Sequence, residues 1–251
     1  MIYFVGAGSG SPDLITVRGM RLLQNADIVI YAGSLVNPEL LEYTKKDCQI
    51  YNSAVMNLEE VIDVMEKAEN CKKMTVRLHT GDPCIYGAVR EQMDRLDSLG
   101  INYEVCPGVS SFCGAAASLK AEYTLPDVSQ TVIITRMSGR TKVPESESIE
   151  KLAVHGATMV IFLSTGMLKE LSEKLIKGGY SPETPSAIVY KATWKDEKIL
   201  RCKVKDLAET AEKYGITKTA LITVGNFLGN DYSLSKLYDR NFETEYRKAE
   251  K

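Results

Sequence analysis

The regular alternation of short, apolar, β-branched segments with amphipathic helical patterns constrains this chain most. In the first half, strands are predicted at 1–5, 27–31, 73–78 and 103–106, and helices at 16–24, 38–44, 58–68, 88–99 and 110–119. Alternation of this kind is typical of βαβ units, in which successive strands lie side by side in a parallel sheet. The first half is therefore predicted to be a mostly parallel α/β domain.

The second half follows a different pattern. Strands are predicted at 131–135, 158–163, 186–190, 198–203 and 220–224, with helices at 167–177 and 204–214. The strand at 198–203 follows a charged turn at hairpin spacing, which indicates an antiparallel pair and a mixed sheet. We predict domains at 1–119 and 129–238, a linker at 120–128 where polar residues and proline interrupt the pattern, and a polar tail at 239–251.

Composition excludes several classes of protein. The 251 residues are 44% hydrophobic and 25% charged, as in folded globular proteins, and the net charge of −2 provides no global basic field for nucleic acid or an anionic membrane. The apolar runs are shorter than a membrane-spanning helix requires, and the first eight residues lack the pattern of a secretory signal. We expect a cytoplasmic protein that binds neither nucleic acid nor membrane.

The histidines and cysteines do not form a recognisable metal-binding pattern. The chain has two histidines and six cysteines, and no two cysteines stand in a Cys-x-x-Cys pair. Neither a zinc site nor a disulfide framework is indicated, and we predict no metal site.

A glycine-rich segment, Gly-Ala-Gly-Ser-Gly-Ser-Pro-Asp at 6–13, follows the first predicted strand directly. It resembles a dinucleotide-binding loop, but Ser11 replaces the third glycine of that motif. The second strand also ends at Tyr31, where an acidic ribose ligand is expected. Two interpretations stay open: a loop whose backbone approaches a ligand closely, and a tight turn that caps the following helix.

Two more loops of small residues follow strand ends, at 80–83 and 108–111. Because open α/β sheets bind ligands at the carboxyl edge of their strands, the three loops are expected to converge on one crevice. Asp82 is a candidate acceptor for an amine or a ribose hydroxyl, or it caps the next helix. His79 is a candidate general base or a buried structural group, and spacing alone does not choose between these interpretations.

Aromatic and basic side chains near these segments suggest ligand chemistry. Trp194 and Tyr86 are candidates to stack on a flat aromatic substrate, although core packing explains such residues equally well. Arg136, Arg140 and Lys142 form a short basic cluster suited to carboxylates, or a solvated loop.

Taken together, the segments resemble the tetrapyrrole methylases. The resemblance rests on Val-Gly-Ala-Gly-Ser-Gly-Ser-Pro-Asp-Leu-Ile-Thr at 5–16, Tyr-Ala-Gly-Ser-Leu at 31–35 and Leu-His-Thr-Gly-Asp-Pro-Cys-Ile-Tyr-Gly at 78–87. The segments at 107–112, 125–133 and 135–141 resemble the branch of the family that methylates precorrins in cobalamin biosynthesis, and their Val-Ser-Gln-Thr-Val and Gly-Arg-Thr pieces are the most specific signals. The resemblance covers nearly the whole chain. The chain departs at Ser9 and Ser11, where the family commonly has Pro and Asp, so it is the backbone role of that loop that carries over.

The resemblance implies an α/β fold of two αβα domains, with a mostly parallel N-terminal sheet, a mixed C-terminal sheet and the active site in the trough between them. It also implies a homodimer that binds S-adenosylmethionine, releases S-adenosylhomocysteine and takes a tetrapyrrole as substrate. The implied cofactor contacts are Thr80, Gly81, Asp82, Ile85, Ser110, Ser111, Leu163, Ala192, Thr219 and Ala220. The candidate substrate contacts are Gly8, Ser9 and Gly10 at the tetrapyrrole mouth, with Arg136 and Arg140 for the acetate and propionate groups.

The implied reaction is direct transfer of the sulfonium methyl to a nucleophilic carbon of the macrocycle. It requires no side-chain nucleophile, so no catalytic residue is predicted. Three alternatives stay open: a methylase of the same fold acting at another corrin position or on uroporphyrinogen, a diphthine synthase that methylates a modified histidine, and a non-enzymatic small-molecule sensor. Substrates with and without cobalt both stay open, and our interpretation favours the cobalt-containing one.

Overall fold

The computed structural model describes residues 1–249. The chain forms two compact units. The first contains residues 1–118 together with 191–197, and the second contains residues 119–190 and the chain from 198 onward. The short segment 191–197 therefore packs with the first unit although it lies far along the sequence.

The first unit is built on a five-stranded parallel sheet. Its strands are β1 (Ile2–Gly6), β2 (Ile28–Tyr31), β3 (Gln49–Asn52), β4 (Thr75–His79) and β5 (Tyr103–Cys106). The spatial order is β3-β2-β4-β1-β5, and every neighbouring pair is parallel. All five strands thus end at one edge of the sheet, and the loops that follow them meet there.

Helices cover both faces of this sheet. They are α1 (Val17–Asn25), α2 (Leu58–Asn70), α3 (Arg90–Ser98) and α4 (Ser111–Leu119). One apolar core includes Val5, Leu23 and Leu78, and the other includes Phe4, Met65 and Leu96. Because successive strand residues point to opposite faces, the neighbours Phe4 and Val5 belong to different cores.

The second unit is built on a mixed five-stranded sheet. Its strands are β6 (Val132–Arg136), β7 (Thr158–Phe162), β8 (Pro185–Tyr190), β9 (Lys198–Lys203) and β10 (Ala220–Val224), in the order β6-β7-β10-β8-β9. The pair β6 and β7 is parallel and the other three pairs are antiparallel. Helices α5 (Ile149–Ala153), α6 (Leu168–Lys177) and α7 (Leu207–Lys213) share one apolar core with this sheet.

The predicted fold class is confirmed: the chain is α/β, with a parallel first sheet and a mixed second one. One local prediction differs from the structure: the helix predicted at 38–44 is a 3₁₀ helix, Pro38–Tyr43. In addition, β3 and α5 were not predicted from the sequence. In the described part of the chain, no helix combines the length and apolar character needed to cross a membrane.

Candidate functional site

Two of the small-residue loops of the first unit are joined by backbone hydrogen bonds. Ala7 N donates to His79 O at 2.7 Å, Gly81 N donates to Gly8 O at 2.9 Å, and Gly8 N donates to Gly81 O at 3.3 Å. Beyond the parallel pairing of β1 with β4, the two bonds between Gly8 and Gly81 form an isolated antiparallel bridge. The loop after β1 (residues 7–13, the glycine-rich loop) and the loop after β4 (residues 80–88, the Gly-Asp-Pro loop) therefore form one continuous backbone surface.

The loop after β5 joins the same surface through contacts that only glycine permits. A Cβ atom at Gly108 would lie 2.3 Å from the Gly81 carbonyl oxygen and 2.7 Å from Gly6 Cα. A Cβ atom at Gly6 would lie 2.6 Å from both the Gly81 oxygen and Gly108 Cα. The three loops thus converge as expected, and they touch one another through main-chain atoms.

The Asp82 carboxylate fastens two of these loops together. Its Oδ1 accepts the N–H of Cys84 at 2.8 Å, within its own turn, and its Oδ2 accepts the N–H of Gly108 at 2.9 Å. Each oxygen keeps a second lone pair, so the carboxylate retains the capacity to accept hydrogen bonds from a ligand. The structure does not place Asp82 as the cap of the next helix, because α3 begins at Arg90; Asp82 caps its own turn and cross-links two loops instead.

The other implied cofactor residues of the first unit lie on the same edge. Gly81 adopts a left-handed φ of 59°, and Ile85 N donates to Asp82 O at 3.3 Å. Ser110 is buried, and its carbonyl accepts the N–H groups of Cys113 and Gly114 where α4 begins, next to Ser111. Thr80 connects β4 to the loop. The structure therefore places these residues together at the carboxyl edge of the parallel sheet.

His79 and Arg77 point into the core beneath this edge. Arg77 donates from Nε to Gln92 Oε1 and from Nη1 to the Ile30 carbonyl, both at 3.1 Å. Burial lowers the pKa of Arg77 to about 10, and burial together with the nearby Arg77 charge lowers the pKa of His79 to about 3. Only 3% of His79 is exposed, and within residues 1–249 its Nε2 atom has no hydrogen-bond partner. A neutral, enclosed imidazole is not placed to take a proton from a substrate, so the structural interpretation of His79 holds.

Ala192 lies in the segment that the second half of the sequence contributes to the first unit. This segment, residues 191–197, is called the Thr193 turn here. Ala192 is buried, and its carbonyl oxygen would lie 2.6 Å from a Cβ atom at Gly10. The turn therefore brings an implied cofactor contact against the glycine-rich loop, which carries the candidate substrate contacts Gly8, Ser9 and Gly10.

In the second unit, the implied cofactor residues meet at one end of two neighbouring strands. The antiparallel register of β7 and β10 pairs Ile161 with Ile222, so Leu163 and Ala220 follow at the same end. Thr165 Oγ1 donates to the Ala220 carbonyl at 3.1 Å and ties the two ends together. The structure thus brings together residues that are 57 positions apart in sequence.

Two of these residues hold unfavourable backbone conformations. Leu163 has φ 52° and is 64% exposed, and Thr219 has φ 57°. Positive φ is uncommon for residues other than glycine and is a genuine outlier for a β-branched one, and such strain concentrates at functional sites. An exposed leucine with a strained backbone, beside a second strained residue, is typical of a ligand-contacting edge.

The basic loop after β6 has an internal organisation that its sequence did not reveal. Arg136 donates from Nη1 to the carbonyls of Met137 and Thr141 at 3.1 and 3.0 Å, and from Nη2 to the carbonyl of Lys142 at 3.0 Å. Arg140 is exposed. Arg136 therefore shapes the loop, and Arg140 is the arginine of the pair that presents its charge to solvent.

Ser129, in the most specific sequence piece, has a structural role. Its Oγ accepts the N–H groups of Thr158 and Thr131 at 3.0 and 3.3 Å and donates to the Thr131 carbonyl at 2.8 Å. These bonds join the starts of β6 and β7. The Val-Ser-Gln-Thr-Val segment therefore connects two neighbouring strands of the second sheet.

Sequence reasoning missed Thr193 and Gln92. Thr193 contacts the glycine-rich loop across 182 residues of sequence, and Gln92 bonds both Arg77 and the Ala88 carbonyl. Neither residue belongs to a local motif. For Gln92 the available sequence signal was a polar residue on the inner face of the helix that follows the strand of Arg77.

Comparison with known proteins decides the family. The family model of the tetrapyrrole (corrin/porphyrin) methylases matches residues 1–208. The chain belongs to the tetrapyrrole methylases. Its loops at the edge of the parallel sheet and its mixed second sheet are thus features of a methylase.

Relatives of 40% identity or more along nearly the whole chain are named for methylation of precorrin-4 at C11, with or without cobalt. A cobalt-precorrin-4 C(11)-methyltransferase of Methanocaldococcus jannaschii is 59% identical over 251 residues, which cover 100% of this chain and 97% of that protein. A precorrin-4 C(11)-methyltransferase of Pseudomonas aeruginosa is 40% identical, with 99% of each chain covered. The X-ray structure of a cobalamin biosynthetic enzyme, cobalt precorrin-4 methyltransferase, matches with a TM-score of 0.89 and 48% identity, covering 91% of this chain and 96% of that one.

Proposed function

We propose that this methylase transfers a methyl group from S-adenosylmethionine to C11 of cobalt-precorrin-4, giving cobalt-precorrin-5 in cobalamin biosynthesis. The observation that carries the proposal is the 59% identity, along the whole chain, to a protein named for that substrate and that carbon. The relative named for precorrin-4 without cobalt is less similar, at 40% identity, which favours the cobalt-containing substrate.

The proposed cofactor contacts come from both units, and each set fits a ligand of this kind. In the first unit they are Thr80, Gly81, Asp82, Ile85, Ser110, Ser111 and Ala192, and in the second unit they are Leu163, Thr219 and Ala220. The glycine of this set, Gly81, has a left-handed φ of 59°, a turn that glycine adopts without strain and that lets the backbone approach a ligand closely. The exposed side chain of Leu163 offers an apolar surface for an adenine ring.

The proposed chemistry requires positioning rather than a reactive side chain. S-adenosylmethionine, when bound, supplies an electrophilic methyl group: its bond to sulfur breaks as the bond to the macrocycle carbon forms, and the electron pair returns to sulfur. The residues of the chain hold the two reactants in line and exclude water. Holding reactants in this way contributes up to about 7 to 11 kcal/mol in well-oriented systems. The buried, neutral His79 is consistent with a reaction in which no core residue takes a proton.

The proposed tetrapyrrole contacts are the glycine-rich loop at Gly8, Ser9 and Gly10, together with Arg136 and Arg140. The acetate and propionate groups of the macrocycle are carboxylates, which arginine binds well. Because three carbonyl oxygens already engage Arg136, we assign it the shaping of residues 137–142 and assign the direct carboxylate contact to Arg140.

The first test is calorimetry with S-adenosylhomocysteine, with NAD as the control ligand. Micromolar affinity corresponds to about −8 kcal/mol and is readily measured. We expect saturable binding of S-adenosylhomocysteine and none of NAD. The Asp82→Ala variant loses the cross-link between loops and is expected to bind at least about 10-fold more weakly, since it loses hydrogen bonds to a charged group. The matched control is Asp63→Ala, which removes an exposed aspartate of α2 that pairs with Lys67.

Failure of the wild type to bind S-adenosylhomocysteine would refute the cofactor assignment. Binding without turnover of any tetrapyrrole would favour a sensor. Turnover at another position, of uroporphyrinogen, or of a modified histidine would favour the other methylase alternatives. A homodimer and a cytoplasmic location stay predictions, and light scattering of the purified protein tests the first.

A further inference from the structure

Thr193 has a backbone conformation that its residue type disfavours. Its φ is 68°, in the left-handed region where a β-branched residue is an outlier. Lys191, two residues before Thr193, also has a positive φ of 47°. Such a conformation persists where the surrounding contacts fix it and where a specific side-chain position is required.

The Thr193 hydroxyl forms hydrogen bonds with the glycine-rich loop. Its Oγ1 accepts the N–H of Ser11 at 3.0 Å and lies 3.1 Å from Ser9 Oγ. A threonine hydroxyl has one proton to donate, and the Ser11 amide is necessarily the donor in the first bond. The hydroxyl therefore bridges two alternate residues of the loop.

The turn that carries Thr193 is itself held firmly to the first unit. Thr193 N donates to Glu197 Oε2 at 2.5 Å, and the same carboxylate oxygen accepts the hydroxyl of Ser118 at the end of α4. Lys195 pairs with Glu39 at 2.6 Å. The threonine hydroxyl is thus presented from a fixed support.

The glycine-rich loop, in turn, packs closely against this support and against α4. A Cβ atom at Gly10 would lie 2.2 Å from Cδ1 of Trp194, and a Cβ atom at Gly114 would lie 2.5 Å from the Cβ atom of Ser9. Ser9 is only 6% exposed. The loop is therefore packed on both sides of the residues that Thr193 bonds.

We propose that Thr193 is a positioning residue that sets the conformation of the glycine-rich loop for the tetrapyrrole. This inference rests on the proposed function, in which Ser9 and its neighbours contact the macrocycle. Thr193 acts through Ser9 and Ser11 and does not touch the reacting atoms. Because it stands next to Ala192, a proposed cofactor contact, the same turn aligns the loop with the cofactor side of the first unit.

Two substitutions separate the hydroxyl from the shape of the side chain. Thr193→Val keeps the branched shape and removes the hydroxyl, and Thr193→Ser keeps the hydroxyl. Thr44→Val is the distant control, since it removes a hydroxyl bonded to the Leu41 carbonyl. For each variant, kcat, the KM for cobalt-precorrin-4, the Kd for S-adenosylhomocysteine and the hydrogen exchange of residues 8–12 are measured.

In Thr193→Val we expect the KM for the tetrapyrrole to rise roughly 10-fold, the effect of losing two ordinary hydrogen bonds. We expect kcat and the Kd for S-adenosylhomocysteine to stay within about 2-fold, and the Ser11 amide to exchange faster. Thr193→Ser and Thr44→Val are expected to behave like the wild type. Trp194, the single tryptophan of the sequence, reports the same loop contact by its fluorescence, which we expect to change in Thr193→Val alone.

Three results would overturn the inference: an unchanged KM, a parallel loss in KM, kcat and cofactor Kd that follows a lower melting temperature, or a Thr193→Ser variant as impaired as Thr193→Val. If the wild type does not use cobalt-precorrin-4, the proposed function fails, and hydrogen exchange still decides the positioning role. Unchanged exchange at Ser11 in Thr193→Val would then refute it.

Discussion

The close approach of three loops at Gly108 makes Gly108→Ala the most informative single substitution. Its new Cβ atom would lie 2.3 Å from the Gly81 carbonyl oxygen and 2.7 Å from Gly6 Cα. Favourable contacts between heavy atoms lie near 3.5 Å or beyond, so the loops must separate by about 1 Å. Both neighbours are backbone atoms, which cannot move aside as a flexible side chain does.

The expected magnitude follows from that displacement. Overpacking of a dense site typically costs about 1–3 kcal/mol, which lowers the melting temperature of a protein of this size by roughly 2–10 °C. A misplacement of about 1 Å at a site that aligns two reactants costs about 100-fold in rate. We therefore expect Gly108→Ala to fold, to melt at a lower temperature, and to lose far more activity than stability.

The assay compares Gly108→Ala with Gly166→Ala by differential scanning fluorimetry, S-adenosylhomocysteine calorimetry and methyl transfer. Gly166 is the matched control because a Cβ atom there would meet nothing within 4 Å. The control should resemble the wild type in all three measurements. If Gly108→Ala also resembles the wild type, the convergence of loops is not what holds the proposed cofactor surface, and the reasoning is refuted.

Three further predictions follow from single contacts. The free energy of unfolding should fall as the pH drops from about 6.5 towards 3, because His79 takes up a proton in the unfolded state while its pKa in the folded state is about 3. Denaturant titrations of His79→Leu should show a weaker dependence of this free energy on pH. The same dependence in the variant and the wild type would contradict the prediction. Asp82→Asn keeps one acceptor oxygen in place of two, so denaturant unfolding should show a loss of about 1–3 kcal/mol, and a loss near zero would argue against the cross-link. Arg140→Ala should lower the affinity for the tetrapyrrole without lowering the melting temperature, whereas Arg136→Ala should lower both the affinity and the melting temperature. Unchanged affinity in both variants would refute the assignment of these arginines to the carboxylates.

Much of the fold could be predicted because its signals are local. The strands of both sheets other than β3 were predicted close to their observed bounds. Most of them are runs of buried apolar residues, and the exposed strand β9 was identified by its hairpin spacing. β3 lies at the sheet edge with Gln49 and Ile50 exposed, so it lacks the apolar alternation that identifies a strand. The 3₁₀ helix at Pro38–Tyr43 begins with Asn37 as its cap and proline next, which are also the signals of an α-helix.

The candidate site was predictable only where sequence neighbours form it. The convergence of the loops follows from the rule for carboxyl edges of parallel strands, and Asp82 was identified as a capping candidate. The bond from Asp82 to Gly108, the fit of Trp194 against Gly10 and the use of Arg136 by its own loop depend on contacts that no local pattern encodes. The position of 191–197 in the first unit is the clearest case, because packing places it there while its sequence lies between two strands of the second sheet.

The measurement that tests the central proposal most directly is the position of the transferred methyl group. The protein is incubated with cobalt-precorrin-4 and S-adenosylmethionine labelled with ¹³C in its methyl group, and the product is analysed by NMR. We predict one new labelled methyl group, attached to C11. A labelled methyl group at any other carbon, or no transfer by a protein that binds S-adenosylhomocysteine, would contradict the proposal.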